Sequence, residues 1–167
     1  MKLTQDKELK ICSIKKLWSE LEASGTDGKT IAILLSMKEI DHPALSKLDA
    51  YHKVNVYDTE IVKPFSFGLS EGEGIRDFLK KEDDFKMLYI CCDSGESRST
   101  AIAAAIMRHY GNSDKEIWTT PLYHPNMLVY RNQMQAFGKR VCRLRGKYLR
   151  YINEKALNKA IMKKRKG

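Results

Sequence analysis

Four short apolar runs punctuate the first half of the chain: LKICS at 9–13, TIAILLS at 30–36, HKVNVY at 52–57 and FKMLYIC at 85–91. Their length and their content of Ile, Leu and Val fit strands. Between them lie segments of helical spacing, IKKLWSELEA at 14–23, a short helix near HPALSKLD at 42–49, and EGIRDFLKK at 73–81, opened by a capping box of Ser70 with Glu73. After the fourth run, RSTAIAAAIMRHY at 98–110 is apolar nearly all round, the pattern of a helix buried in a core. Strand and helix alternate throughout. That order predicts an α/β fold with a central, mostly parallel sheet of about four to five strands flanked by helices on both faces. It also places a ligand beyond the carboxyl ends of the strands.

Length and composition agree with one ordered unit. The 167 residues, 43% of them hydrophobic, make a single domain over 1–167 that can bury about two-thirds of its unfolded surface without staples. The opening MKLTQDKELK is charged and has no signal-like apolar run, and no stretch approaches the roughly 20 apolar residues of a membrane helix. Cys12, Cys91, Cys92 and Cys142 read as reduced thiols, so a cytoplasmic setting is expected. The cysteines lack metal-ligand spacing and His42, His52, His109 and His124 are scattered, so neither a metal nor a cofactor is expected.

Charge is concentrated at one end. Of a net +9, residues 139–167 carry twelve Lys or Arg against one acid, Glu154. Val141, Leu144, Tyr148, Ile152 and Ala156 recur there at helical spacing, predicting a basic amphipathic helix over 139–167. Such a helix either closes the core with a solvated outer face, or offers a weak patch for an anionic partner, nucleic acid or a membrane surface, or steers phosphorylated substrates.

The chemistry lies between the fourth strand and its helix. In CDSGESRS, Cys92 stands at a strand end and Arg98 at a helix start, with Asp93, Ser94, Gly95, Glu96 and Ser97 between them. A tight loop of this kind turns backbone N–H groups toward one tetrahedral oxyanion at the helix N-terminus. The thiolate is the nucleophile, and the positive helix end and Arg98 both favour it. Arg98 offers two parallel donors to two phosphoryl oxygens, which Lys does not. Ser99 either caps the helix or donates to the sulfur. Two other glycine motifs fail as nucleotide loops. Gly28-Lys29-Thr30 has Ala23 where a first glycine is required and precedes a strand, while Gly72-Glu73-Gly74 belongs to the start of a helix.

These residues, from Cys92 to Ser99, resemble the signature loop of the cysteine-dependent protein tyrosine phosphatase superfamily, and the Ser-Arg-Ser ending is most similar to its dual-specificity branch, with small microbial members closest. The resemblance covers roughly residues 9–138. It implies a phosphatase-like α/β fold, hydrolysis of phosphomonoesters on a phosphorylated protein or small molecule through a phosphocysteine, and an aspartate general acid some thirty residues upstream. Asp58, 34 positions before Cys92, fits that role, with Glu60 and Asp93 as stand-ins. His124-Pro125-Asn126 is similar to the element that buttresses the loop, which gives Asn126 a supporting role. One position departs from the family: Cys91 stands where histidine usually precedes the nucleophile. It is either a strand residue facing the core or a second thiol that meets oxidised Cys92.

Asp93 and Glu96 put acids at the loop mouth, which favours a single phosphate, as on phosphotyrosine, over phosphoinositides or RNA 5′-triphosphates. The rival readings are a catalytically inactive phosphate-binding module and a rhodanese-like sulfurtransferase.

Overall fold

In the computed structural model, which describes residues 1–23 and 28–164, the apolar runs form four parallel strands: β1 (Glu8–Ser13), β2 (Thr30–Leu35), β3 (Ala50–Val54) and β4 (Met87–Cys92). Their order across the sheet is β1-β4-β2-β3. The register sets Leu35 beside both Cys92 and Val54, and Ser13 beside Cys92, so four carboxyl ends share one edge. β2 is buried along its whole length, as a central strand covered on both faces must be.

Side-chain parity divides the core. Ile31, Ile33, Leu35, Leu88, Ile90 and Cys92 point to one face, and Ala32, Leu34, Cys91 and Cys12 to the other. The second face is closed by α1 (Ile14–Ala23) through Leu17 and Leu21, and by a 3-10 turn at Pro43–Lys47. The first face is closed by α2 (Leu69–Lys81), α3 (Arg98–His109) and α5 (Met127–Ala136). Every residue of α3 from Arg98 to Met107 is buried, as its all-round apolar sequence requires. Gly72 is a packing glycine: a Cβ there would meet Ala136 Cβ at 3.0 Å and the Asn132 carbonyl oxygen at 3.1 Å. Its absence lets α2 and α5 approach closely.

Three expectations shift. The third strand ends at Val54 and not at residue 57, because the Val56 carbonyl leaves the ladder to accept from Arg98 Nη1 at 2.7 Å. The cap of α2 is Gly68, whose N–H donates to Glu71 Oε2 at 2.8 Å, so Ser70 lies inside the helix and Glu73 caps nothing. The last helix, α6, runs over Arg143–Lys164; residues 139–142 precede it and 165–167 lie outside the described residues. The expected stripe holds in part: Val141 and Ile152 pack on the core beside Gly146 and Leu149, and Ala156 is half-buried, while Leu144 and Tyr148 are exposed.

Polar contacts go with the rotation that leaves Leu144 and Tyr148 exposed. Asp114, buried just ahead of α4 (Lys115–Thr119), accepts from Trp118 Nε1 at 3.0 Å, Tyr130 Oη at 3.0 Å and Arg145 Nη2 at 3.1 Å. Burial pushes the Tyr130 phenol up, so it is the donor. Asn153 Nδ2 donates to the carbonyls of Trp118 and Tyr123. Asp114→Ala strands three donors at once, and a loss of about 2 kcal/mol in urea-unfolding free energy is expected.

Candidate active site

The strand edge and the N-terminus of α3 meet at the CDSGESRS loop. Cys92 is buried, its Sγ accepting from the Gly95 N–H at 3.3 Å and lying 3.1 Å from Ser99 Oγ. Gly95 has φ +78°, and a Cβ on it would stand 2.5 Å from the Ser13 nitrogen and 2.6 Å from the Cys12 carbonyl carbon. The loop is thus pressed onto the end of β1, and glycine alone combines that turn with that contact. Ser99 turns its hydroxyl to the sulfur; Ser97 is the N-cap, and its Oγ donates to Asp58 Oδ1 at 2.8 Å instead of accepting from the helix.

Arg98 is 5% exposed. Its Nη1 donates to the Val56 carbonyl, its Nη2 to Asp93 Oδ2, and its Nε lies 3.8 Å from Asp58 Oδ2. The Nε–H is buried and has no hydrogen-bond partner among the described residues. That free donor beside a helix N-terminus fits a phosphoryl oxygen. Asp93 also accepts from Ser36 Oγ at 2.8 Å. Burial works to raise its carboxyl, but the hydrogen bonds from Arg98 and Ser36 outweigh it and hold Asp93 below the usual carboxylate range.

Asp58 Oδ1 accepts from both Ser97 Oγ and Asn126 Nδ2, the latter at 2.9 Å. Asn126 has three tasks. Its Oδ1 caps α5 by accepting from the amides of Leu128 and Val129, its Nδ2 also reaches the Thr59 carbonyl, and its own N–H donates to the Ser97 carbonyl. The His124 N–H donates to the Glu96 carbonyl at 2.8 Å. Glu60 is turned elsewhere, accepting from the Met127 N–H and from Arg150 Nη2. Of the three carboxylates considered for proton transfer, Asp58 alone keeps an oxygen, Oδ2, with no hydrogen bond while facing the loop. Ser94 and Glu96 lie exposed on the loop rim.

Cys91 is the strand residue, not the second thiol. Its side chain points to the face opposite Cys92, with its Sγ 3.4 Å from Cys12 Sγ. The shared hydrogen bond with Cys12, followed by burial, pushes the Cys91 thiol up. Three contributors were not visible in the one-dimensional pattern: Ser36, the Val56 carbonyl, and the Cys12–Ser13 backbone behind Gly95. Ser36 had a signal, since it directly follows β2 at the edge where ligands bind. Among the described residues, no three His, Cys, Asp or Glu side chains group as metal ligands would.

A parallel four-stranded sheet flanked by helices on both faces is a DUSP-like phosphatase fold. The chain is similar in structure to human DUSP28, with 19% identity and a TM-score of 0.56 over 82% of this chain and 94% of that one. It is similar also to DUSP15, with 22% identity and a TM-score of 0.52 over 93% and 94%. No family model matches the sequence, and no curated protein does.

Two substitutions probe the loop. Gly95→Ala, forced into positive φ against β1, should lower stability by about 2 kcal/mol in urea unfolding and displace the Cys92 loop. Asp93→Asn tests the ion pair through pH. The depressed carboxyl contributes stability above its unfolded pKa of about 3.9 and loses it as pH falls through the lower folded value. The variant should be less stable than wild type at neutral pH, with the gap closing below about pH 4 in unfolding titrations.

Proposed function

We propose that this chain hydrolyses phosphomonoesters through a phosphocysteine intermediate, with phosphotyrosine or a related phosphorylated protein side chain as substrate. The supporting observation is the placement of Cys92 Sγ, held between the Gly95 amide and the Ser99 hydroxyl at the N-terminus of a buried helix that begins with Arg98. The proposal includes a reducing, cytoplasmic setting in which Cys92 remains a thiol.

In the first step the Cys92 thiolate attacks phosphorus, the bond to the leaving oxygen breaks, and Asp58 gives its proton to the departing phenol or alcohol. The loop amides and the Arg98 guanidinium hold the non-bridging oxygens as their charge spreads. In the second step water attacks the phosphocysteine, Asp58 takes a proton from it, and the sulfur–phosphorus bond breaks. Ser99 then donates to the leaving sulfur, and inorganic phosphate departs. Ser97 and Asn126 occupy Oδ1 of Asp58, which leaves Oδ2 to carry the proton.

Binding without turnover is the rival reading. The presence of Cys92, Arg98 and Asp58 within one hydrogen-bonded site favours catalysis over it. Of the two acids at the loop mouth, Asp93 pairs with Arg98, so Glu96 alone stands free at the rim to repel a polyanionic substrate.

The test is hydrolysis of para-nitrophenyl phosphate across pH, with a chelator present, by wild type, Cys92→Ser and Asp58→Ala. Cys92→Ser should be inactive. Asp58→Ala should lose about a hundredfold in kcat, and more with phenyl phosphate, whose leaving group depends more on the proton. A freshly reduced wild type without turnover would move the assignment to a binding module.

A further inference from the structure

Helix α6 has two apolar faces, and only one of them is used inside the protein. The inner face, Gly146, Leu149 and Ile152, is locked in place by Arg145 on Asp114 and by Asn153 on the carbonyls of Trp118 and Tyr123. On the opposite side Leu144, Tyr148 and Tyr151 follow one another at helical spacing and are 79%, 54% and 59% exposed. Met162, 61% exposed, falls at the same azimuth as Leu144 about five turns further on. The exposed apolar side chains of this face thus cluster in its first turns, Leu144 with Tyr148 and Tyr151, and Met162 stands beyond Lys155 and Asn158, which occupy the same face in between.

The charge beside that stripe is of one sign. Arg143 and Lys147 flank it in the first turns, and Lys155, Lys159 and Lys163 form a row one turn apart in the second half. None of these five pairs with a carboxylate among the described residues, although Arg145 and Arg150 of the same helix do. The lysine row winds from the edge of that stripe toward the seam between α6 and the Thr119–Pro121 segment, where Ile152 of the inner face, Ala156 and Ala160 line a trough of about 530 Å³. Cationic heads beside exposed apolar side chains suit a ligand that is itself both anionic and apolar.

We propose that the outer face of α6 docks on an anionic lipid bilayer surface. Leu144 and Met162 would enter the acyl boundary, Tyr148 and Tyr151 would sit at headgroup depth, and the lysines would reach phosphate groups with their stems lying on apolar surface. A nucleic acid would use the lysines and stack on the tyrosines, but it gives Leu144 and Met162 nothing to bury against. A second copy would bring the same positive face against this one. No helix among the described residues is long and apolar enough to cross a membrane, so the contact is with the surface.

The experiment is cosedimentation of the full chain with phosphatidylcholine vesicles, with and without phosphatidylserine. Wild type should pellet with the anionic vesicles and stay in solution with the neutral ones. Leu144→Asp with Tyr148→Asp should lower vesicle partitioning by at least about tenfold, and separately Lys155→Glu with Lys159→Glu and Lys163→Glu by about a hundredfold or more. These side chains are exposed, so both variants should keep the wild-type unfolding midpoint and circular dichroism. Cys92→Ser should bind vesicles as wild type does, which separates this proposal from the catalytic one. The proposal is overturned by an absence of anionic-vesicle binding, or by variants that bind like wild type. It is equally overturned by retention on single-stranded RNA alone, or by dimerisation that the apolar double variant abolishes without any vesicle present.

Discussion

A guanidinium buried to 5% exposure is costly unless every side of it is answered, and much of the local architecture around Arg98 reads as that answer. Asp93 supplies the countercharge, Ser36 holds Asp93 from the end of β2, and Val56 gives up its place in a strand to lend a carbonyl. Asp58 stands at 3.8 Å from the remaining nitrogen. One charge therefore joins the ends of β2, β3 and β4 to the start of α3. Pairing stops short of completion at Nε, which is buried and has no hydrogen-bond partner among the described residues. That open donor is the one the proposed phosphate contact would use.

The parts of this molecule that were legible in the sequence are those where one local rule dominates. IKKLWSELEA became α1 with the same limits, because its apolar spacing and the neighbouring strands leave one arrangement. The Cys92 loop was legible because strand, glycine turn and helix start each carry their own signal. The misreadings came where tertiary polar contacts overrode periodicity. HKVNVY alternates like a strand to residue 57, yet Val56 serves Arg98. In α6 apolar spacing alone turns Leu144 and Tyr148 inward, whereas the bonds of Arg145 to a buried carboxylate and of Asn153 to two carbonyls go with a rotation that leaves both exposed. Both partners lie more than thirty positions from the residues they control, and no window along the chain contains the pair.

Strand parity settles the two adjacent cysteines. Consecutive residues of β4 cannot face the same way, so when Cys92 meets Ser99 and Gly95 on the α3 side, Cys91 must enter the α1 side. There it finds Cys12 through the in-register pairing of β1 with β4. Cys91 thus cannot reach the Cys92 sulfur from its side chain, and the groups that do reach it are the Gly95 amide and the Ser99 hydroxyl. Those contacts stand independently of what occupies position 91.

Several tethers hold the loop that carries Asp58, and they are unequal. The Glu60–Arg150 pair is short, at 2.6 Å, but its side chains are 41% and 51% exposed, and such a pair contributes about 1 kcal/mol or less. Asn126 is 3% exposed and divides one amide among Asp58, Thr59 and two helix N–H groups. In that burial each bond lost would leave a partner unsatisfied, which costs more than the bond itself contributes. The position of Asp58 over the Cys92 loop therefore rests on Asn126 together with Ser97, whose Oγ donates to the same carboxylate oxygen, and the outer pair with α6 adds direction with little energy.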